Sequence, residues 1–68
     1  MKINKLARAV TNKRFEKNLS LQAAADEIEV SYLTLWKIEN GYSNISYETT
    51  RKLAIFLEKT TAEVRELL

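Results

Sequence analysis

Between Leu19 and Gly41 the chain reads LSLQAAADEIEVSYLTLWKIENG, and its chemistry is concentrated in the second half. Tyr32 and Thr34 bring hydroxyls, Trp36 an indole N–H, Lys37 an ammonium, and Leu33 an apolar tip. Such groups can donate hydrogen bonds to, or make apolar contact with, the surface of another molecule. Catalysis is a different matter. No histidine or cysteine occurs in the 68 residues, which removes the commonest general base, the thiol nucleophile, the disulfide and the Cys/His zinc site. No carboxylate pair sits in an evident pocket, so neither an enzyme nor a metal or other cofactor is expected.

The elements that must position these groups follow from apolar spacing. The chain has no proline and one glycine, and its apolar residues recur mostly at helical intervals. The expectation is an all-α, compact five-helix fold in a single domain, 1–68. A first helix covers about 3–17, with Ile3, Leu6, Ala7 and Val10 as its buried stripe, Arg14 one turn further and Phe15 plugging one end of the core. Asn18 can close it in a left-handed conformation. A second helix covers about 21–27 with Ser20 as N-cap and three small residues, Ala23–Ala25, where a neighbour can approach closely. The turn Ile28-Glu29-Val30 follows, with Ile28 and Val30 pointing inward.

Ser31 caps a third helix, about 32–40, with Leu35 and Ile38 facing the core. Gly41 ends it, because glycine reaches positive φ without steric cost. The fourth helix runs from about Ser46 to about Glu58, with Thr50, Leu53, Ala54 and Leu57 inward. Thr60 and Glu63 have capping-box spacing for a short fifth helix carrying Val64, Leu67 and Leu68. Two helices joined by so tight a bend, about 20–40, form the shape that sets a second helix into a DNA major groove.

Charge distribution agrees with a phosphate-rich partner. Residues 1–17 hold six basic groups against one acidic, a balance of +5; residues 18–68 hold five basic against eight acidic, a balance of −3. A solvated helix face explains the same numbers without a partner. No apolar run approaches the roughly 18 residues of a membrane span, and the N-terminus lacks the apolar core of a signal peptide. A cytoplasmic protein without membrane contact is expected.

The ordered elements together resemble the lambda-repressor-like (Cro/repressor, XRE-type) helix-turn-helix family. They are Arg14, Leu19-Ser20, Ala24-Ala25, Val30-Ser31, Leu35, Ile38-Glu39-Asn40-Gly41 and Leu53-Ala54…Leu57, and the likeness covers about residues 5–67. There are four departures. Leu21 stands where a polar residue usually opens helix 2, and Glu29 where the turn glycine usually sits. Ile45 replaces a frequent proline after helix 3, and Glu58 a glycine closing helix 4. Glu29 must adopt an unfavourable conformation or use a different turn.

The resemblance implies double-stranded DNA as partner. Base readout would fall to Tyr32, Leu33, Thr34 and Lys37, with Trp36 beside them. Trp36 suits either partial burial against the loop before helix 4 or a backbone contact through its N–H. Phosphate contacts would come from helix 2's N-terminus at Leu21–Ala23, from Gln22, from Asn40, Ser43 and Asn44, and from Lys13, Lys17 and Lys5. Arg14 and Glu39 would pair across helices 1 and 3.

A homodimer is expected because one such module covers little DNA. The core can accept about two of Ile55, Phe56 and Leu57. The surplus, Ile55 or Phe56, with Leu67 and Leu68, is the candidate dimer surface, unless helix 5 folds over a wide core face. The expected function is a Cro-like repressor. The alternative is a protein-interaction module of the same fold, an antitoxin or antirepressor, which Leu21 and the apolar third helix favour.

Overall fold

A computed structural model describes residues 4–42 and 44–68. Five helices follow in order: α1 (Lys5–Glu16), α2 (Leu21–Ile28), α3 (Tyr32–Glu39), α4 (Tyr47–Leu57) and α5 (Thr61–Glu66). Ile3, expected in the first stripe, and Ser43 lie outside the described residues.

Each helix starts at a side chain that takes up one of its free N–H groups. Asn4, Ser20, Ser31, Ser46 and Thr60 accept from the N–H three residues on. Thr60 and Glu63 complete a reciprocal capping box. Three helix ends need positive φ at residues with side chains: Asn18 at 55°, Glu29 at 68° and Glu58 at 58°. Glu29 therefore takes the strained left-handed option, and its N–H and that of Val30 close α2 onto Asp26 and Ala25 carbonyls. Lys52 Nζ donates to the Glu29 carbonyl at 2.8 Å, which ties this turn to α4.

The core gathers Leu6 and Val10 from α1, Ala24, Ala25 and Ile28 from α2, Leu35 and Ile38 from α3, four α4 residues and Val64. Leu6, Val10, Leu35, Leu53 and Val64 are wholly buried. Removing such a side chain, as in Leu35→Ala, costs about 2–5 kcal/mol. α3 packs on α1 and α2, and α4 packs on α1, α2 and α5.

Two core assignments are corrected. Phe15 does not plug the core; it is 63 % exposed. Five residues beyond Val10, it stands about 140° around the helix from the buried stripe, and the Arg14 guanidinium lies over its ring at 4.6 Å. Phe56 is buried, 6 % exposed, so it is a core residue and not surplus apolar surface. Its burial leaves Ile55, 78 % exposed, as the outward member of the Ile55-Phe56-Leu57 run.

Candidate nucleic-acid interface

The outer face of α3 is where the chain departs from ordinary surface composition. Tyr32, Leu33, Trp36 and Lys37 are exposed and Thr34 half-exposed, while Leu35 and Ile38 turn inward. Trp36 is 42 % exposed, between full burial and full projection. Ser31 Oγ caps the Thr34 N–H at 3.1 Å and donates to the Thr34 hydroxyl at 2.7 Å, which fixes the position of that hydroxyl at the start of the helix. Lys37 has no ion pair among the described residues, so its charge is available.

Beside α3 runs a groove of about 330 Å³ lined by Thr34, Lys37, Tyr42, Asn44, Ser46 and Thr49. It joins the outer face of α3 to the loop and to the N-terminus of α4. There Ser46 caps the Thr49 N–H at 3.1 Å, and the first-turn N–H groups ahead of it lack intrahelical partners. The first turn of α2 is built the same way: Ser20 takes the Ala23 N–H, which leaves those of Leu21 and Gln22. The Leu21 side chain packs against the core, so only its backbone is available for polar contact. Gln22 Nε2 donates to Asp26 Oδ1 at 3.0 Å, and Asn40 Nδ2 to the Trp36 carbonyl at 2.8 Å. Asn44 is exposed.

Lys13 and Lys17, expected at phosphate, stand away from this groove and are engaged in ion pairs. Lys13 pairs with Glu58 at 3.0 Å, and Lys17 pairs with Glu27 and lies over the Phe56 ring. Both line a cavity of about 260 Å³ with Glu27, Glu29, Lys52 and Ile55, at the C-terminal end of α2. The Lys13–Glu58 hydrogen bond raises the lysine above its ordinary value and holds the carboxyl below its own. Both lysines thus answer local carboxylates in the folded chain.

What fixes α3 is a polar junction at its far end. Arg14 Nε donates to Glu39 Oε2 at 2.8 Å and Arg14 Nη2 to Glu39 Oε1 at 3.0 Å, a bidentate pair. Nη1 donates to the Leu19 carbonyl at 3.2 Å, and Thr11 Oγ1 donates to Glu39 Oε1 at 3.0 Å. The arginine thus joins α1, the α1–α2 turn and α3. Its pKa is pushed up by the hydrogen bonds to Glu39, against a smaller opposing effect of burial.

Residues 12–64 match the profile of the helix-turn-helix family, and this span holds α2, the turn and α3 in order. The chain belongs to this family. It is of the XRE type, lambda-repressor/Cro-like, a family of regulators that bind double-stranded DNA. No curated protein matches the chain.

In this helix-turn-helix domain three residues matter that sequence reading passed over. Asn4 caps α1 and also donates to the Gly41 carbonyl; Thr11 holds Glu39; Lys52 holds Glu29. An Asn just ahead of the apolar-periodic residues is a start signal that could have revealed the cap at Asn4. Nothing local marks the other two. No helix among the described residues is long and apolar enough to cross a membrane.

Proposed function

We propose that this protein is a sequence-specific, double-stranded DNA-binding transcriptional regulator, a Cro-like repressor that acts as a dimer. The N-terminal half of α3 enters the major groove, and Lys37, one turn further along the same helix, donates to guanine O6 and N7 or to phosphate. Thr34 hydrogen-bonds a base edge or touches a thymine methyl, Leu33 makes apolar contact, and Tyr32 and Trp36 flank them. The observation that carries this reading is the exposed set Tyr32, Leu33, Trp36 and Lys37, with Thr34 half-exposed, on a helix whose far end is clamped by Arg14 and Thr11. So apolar a face favours readout weighted to thymine methyls and DNA shape.

Phosphates meet the backbone N–H groups at Leu21 and Gln22, the Gln22 side chain, and the loop with Asn40 and Asn44. Each phosphate neutralised by a charged side chain adds roughly −0.9 to the salt slope. Two copies place their reading helices in half-sites about 34 Å apart. Bound there, the protein represses by occupying its site. Ile55, with Leu68 and the half-buried Leu67, supplies the surplus apolar surface for the second copy.

A second reading is favoured by one observation. Leu33 and Trp36 are exposed together on α3, and an apolar pair of this kind also suits a protein partner. In that reading the same face holds a partner protein, as an antitoxin or antirepressor would. A gel shift on DNA from the region upstream of its own coding sequence separates the two. The regulator reading expects a shift that Thr34→Ala and Lys37→Ala weaken. Binding without sequence preference, unchanged in both variants, contradicts it.

A further inference from the structure

The reading helix is held at its far end by a second fastener besides Arg14 and Thr11. Asn4 Oδ1 accepts from the Ala7 N–H at 2.9 Å and so starts α1. Its Nδ2 donates to the Gly41 carbonyl at 2.9 Å, across 37 residues of sequence. One partner is a donor and the other an acceptor, so only one orientation of the amide satisfies both. The start of α1 is therefore tied to the point where the chain leaves α3.

That point has little else to hold it. Gly41 is exposed and sits at φ +99°, and a Cβ built on it would meet nothing within 4 Å. Its local bonds, Gly41 N–H to Ile38 O and Tyr42 N–H to Lys37 O, close the helix but do not tie the loop to the scaffold. Among the described residues, the Asn4 side chain makes the tertiary hydrogen bond to this carbonyl. Downstream lie Tyr42, Asn44 and the start of α4, which line the groove beside Thr34 and Lys37.

We propose that Asn4 is a positioning residue for DNA recognition: by holding the Gly41 carbonyl it sets where the loop after α3 meets the phosphate backbone. The inference rests on reading α3 and that loop as the DNA-facing surface. Asn4 touches no base in this account. It acts through Gly41, as Arg14 and Thr11 act through Glu39, and the two fasteners hold successive parts of the same helix end.

The capping and tethering roles can be separated. Serine and aspartate cap helices about as well as asparagine, but neither carries an amide donor to reach Gly41. Asn4→Ser and Asn4→Asp are therefore compared with wild type on a duplex that wild type selects from random DNA. Melting temperature is recorded alongside affinity and its salt dependence. Both variants keep the cap and are expected to remain folded at the assay temperature, melting only a few degrees lower for the lost Gly41 bond. Asn4→Ser, which adds no charge, is expected to bind roughly two- to tenfold more weakly, the size of one net hydrogen bond. Its preference for the selected duplex over unrelated DNA is expected to narrow.

Wild-type affinity and preference in both variants would overturn the proposal alone. So would an affinity loss in both that follows the melting temperature while the preference for the selected duplex stays that of wild type, because that marks a purely structural role. A wild-type protein that selects no duplex would overturn it together with the reading on which it rests.

Discussion

Arg14 and Glu39 join α1 to the far end of α3 through two parallel hydrogen bonds, at 2.8 and 3.0 Å, with side chains only 15 % and 9 % exposed. α3 is thus oriented through its C-terminal end. The pair lies between a surface ion pair, worth 0–1 kcal/mol, and a buried one, whose disruption costs 3–5 kcal/mol. Glu39→Ala is expected to cost about 2 kcal/mol and to lower the melting temperature by roughly 10 °C. Thermal unfolding followed by circular dichroism checks this. An unchanged melting temperature with weakened DNA binding would assign Glu39 to the interface instead.

Glu29 is expected to be a site of stabilisation. It occupies a left-handed conformation at φ 68°, ψ 45° that costs a residue with a Cβ, whereas glycine adopts it freely. Glu29→Gly should gain about 0.5–1 kcal/mol, net of glycine's extra freedom in the unfolded chain. Because Lys52 bonds the backbone carbonyl and not the side chain, that contact survives the substitution. Denaturant midpoints measure the gain; a loss would show that the Glu29 side chain contributes something its exposure does not suggest.

Lys37→Ala should leave stability within about 0.5 kcal/mol, because the residue is exposed and carries no ion pair among the described residues. Its DNA affinity should fall by about 1–3 kcal/mol. Salt dependence sorts the contact. A base contact relaxes preference at one position, and a phosphate contact weakens all duplexes alike and reduces the slope by roughly 0.9.

Acid should destabilise the fold through two carboxyls. Glu63 is held below its ordinary value of 4.5 chiefly by the Thr60 N–H, and Glu58 chiefly by Lys13. A carboxyl whose pKa is lower in the folded state stabilises fully above its unfolded value and loses that contribution as pH falls through the folded one. Melting temperature should therefore decline below about pH 4.5. Glu63→Gln preserves a capping partner without a titrating group, and should flatten that decline. An acid limb as steep as wild type would remove Glu63 from the account.

Much of this was legible in sequence because it is local. The caps at Ser20, Ser31, Ser46 and Thr60 depend on a side-chain oxygen and an N–H three residues away, which a linear reading can see. The stripe of Thr50, Leu53, Ala54 and Leu57 follows from helical period alone. Lys13 and Lys17 were not legible in the same way. Lys13 finds Glu58 45 residues on, and a charge tally cannot reveal that pairing. Phe15 and Phe56 show the same limit for apolar residues, since only the assembled helices decide which aromatic is enclosed. For α3, the sequence marks the positions, whereas the anchors at Thr11 and Asn4 come from tertiary contacts.

Ile55 tests the dimer. It is an aliphatic residue that α4 leaves exposed, and Ile55→Lys should not disturb the core. Sedimentation should show a shift toward monomer, with Glu39–Arg14 and the fold intact. Self-association unchanged by this substitution would move the interface off α4, toward Leu68 at the end of the chain.

The most direct test of sequence-specific recognition by α3 is selection of bound duplexes from a random DNA pool, carried out with wild type and with Thr34→Ala. The account predicts that wild type enriches a common motif and that Thr34→Ala loses preference at a defined position within it. Enrichment of no motif by wild type, or of the identical motif with equal strength by the variant, would contradict it.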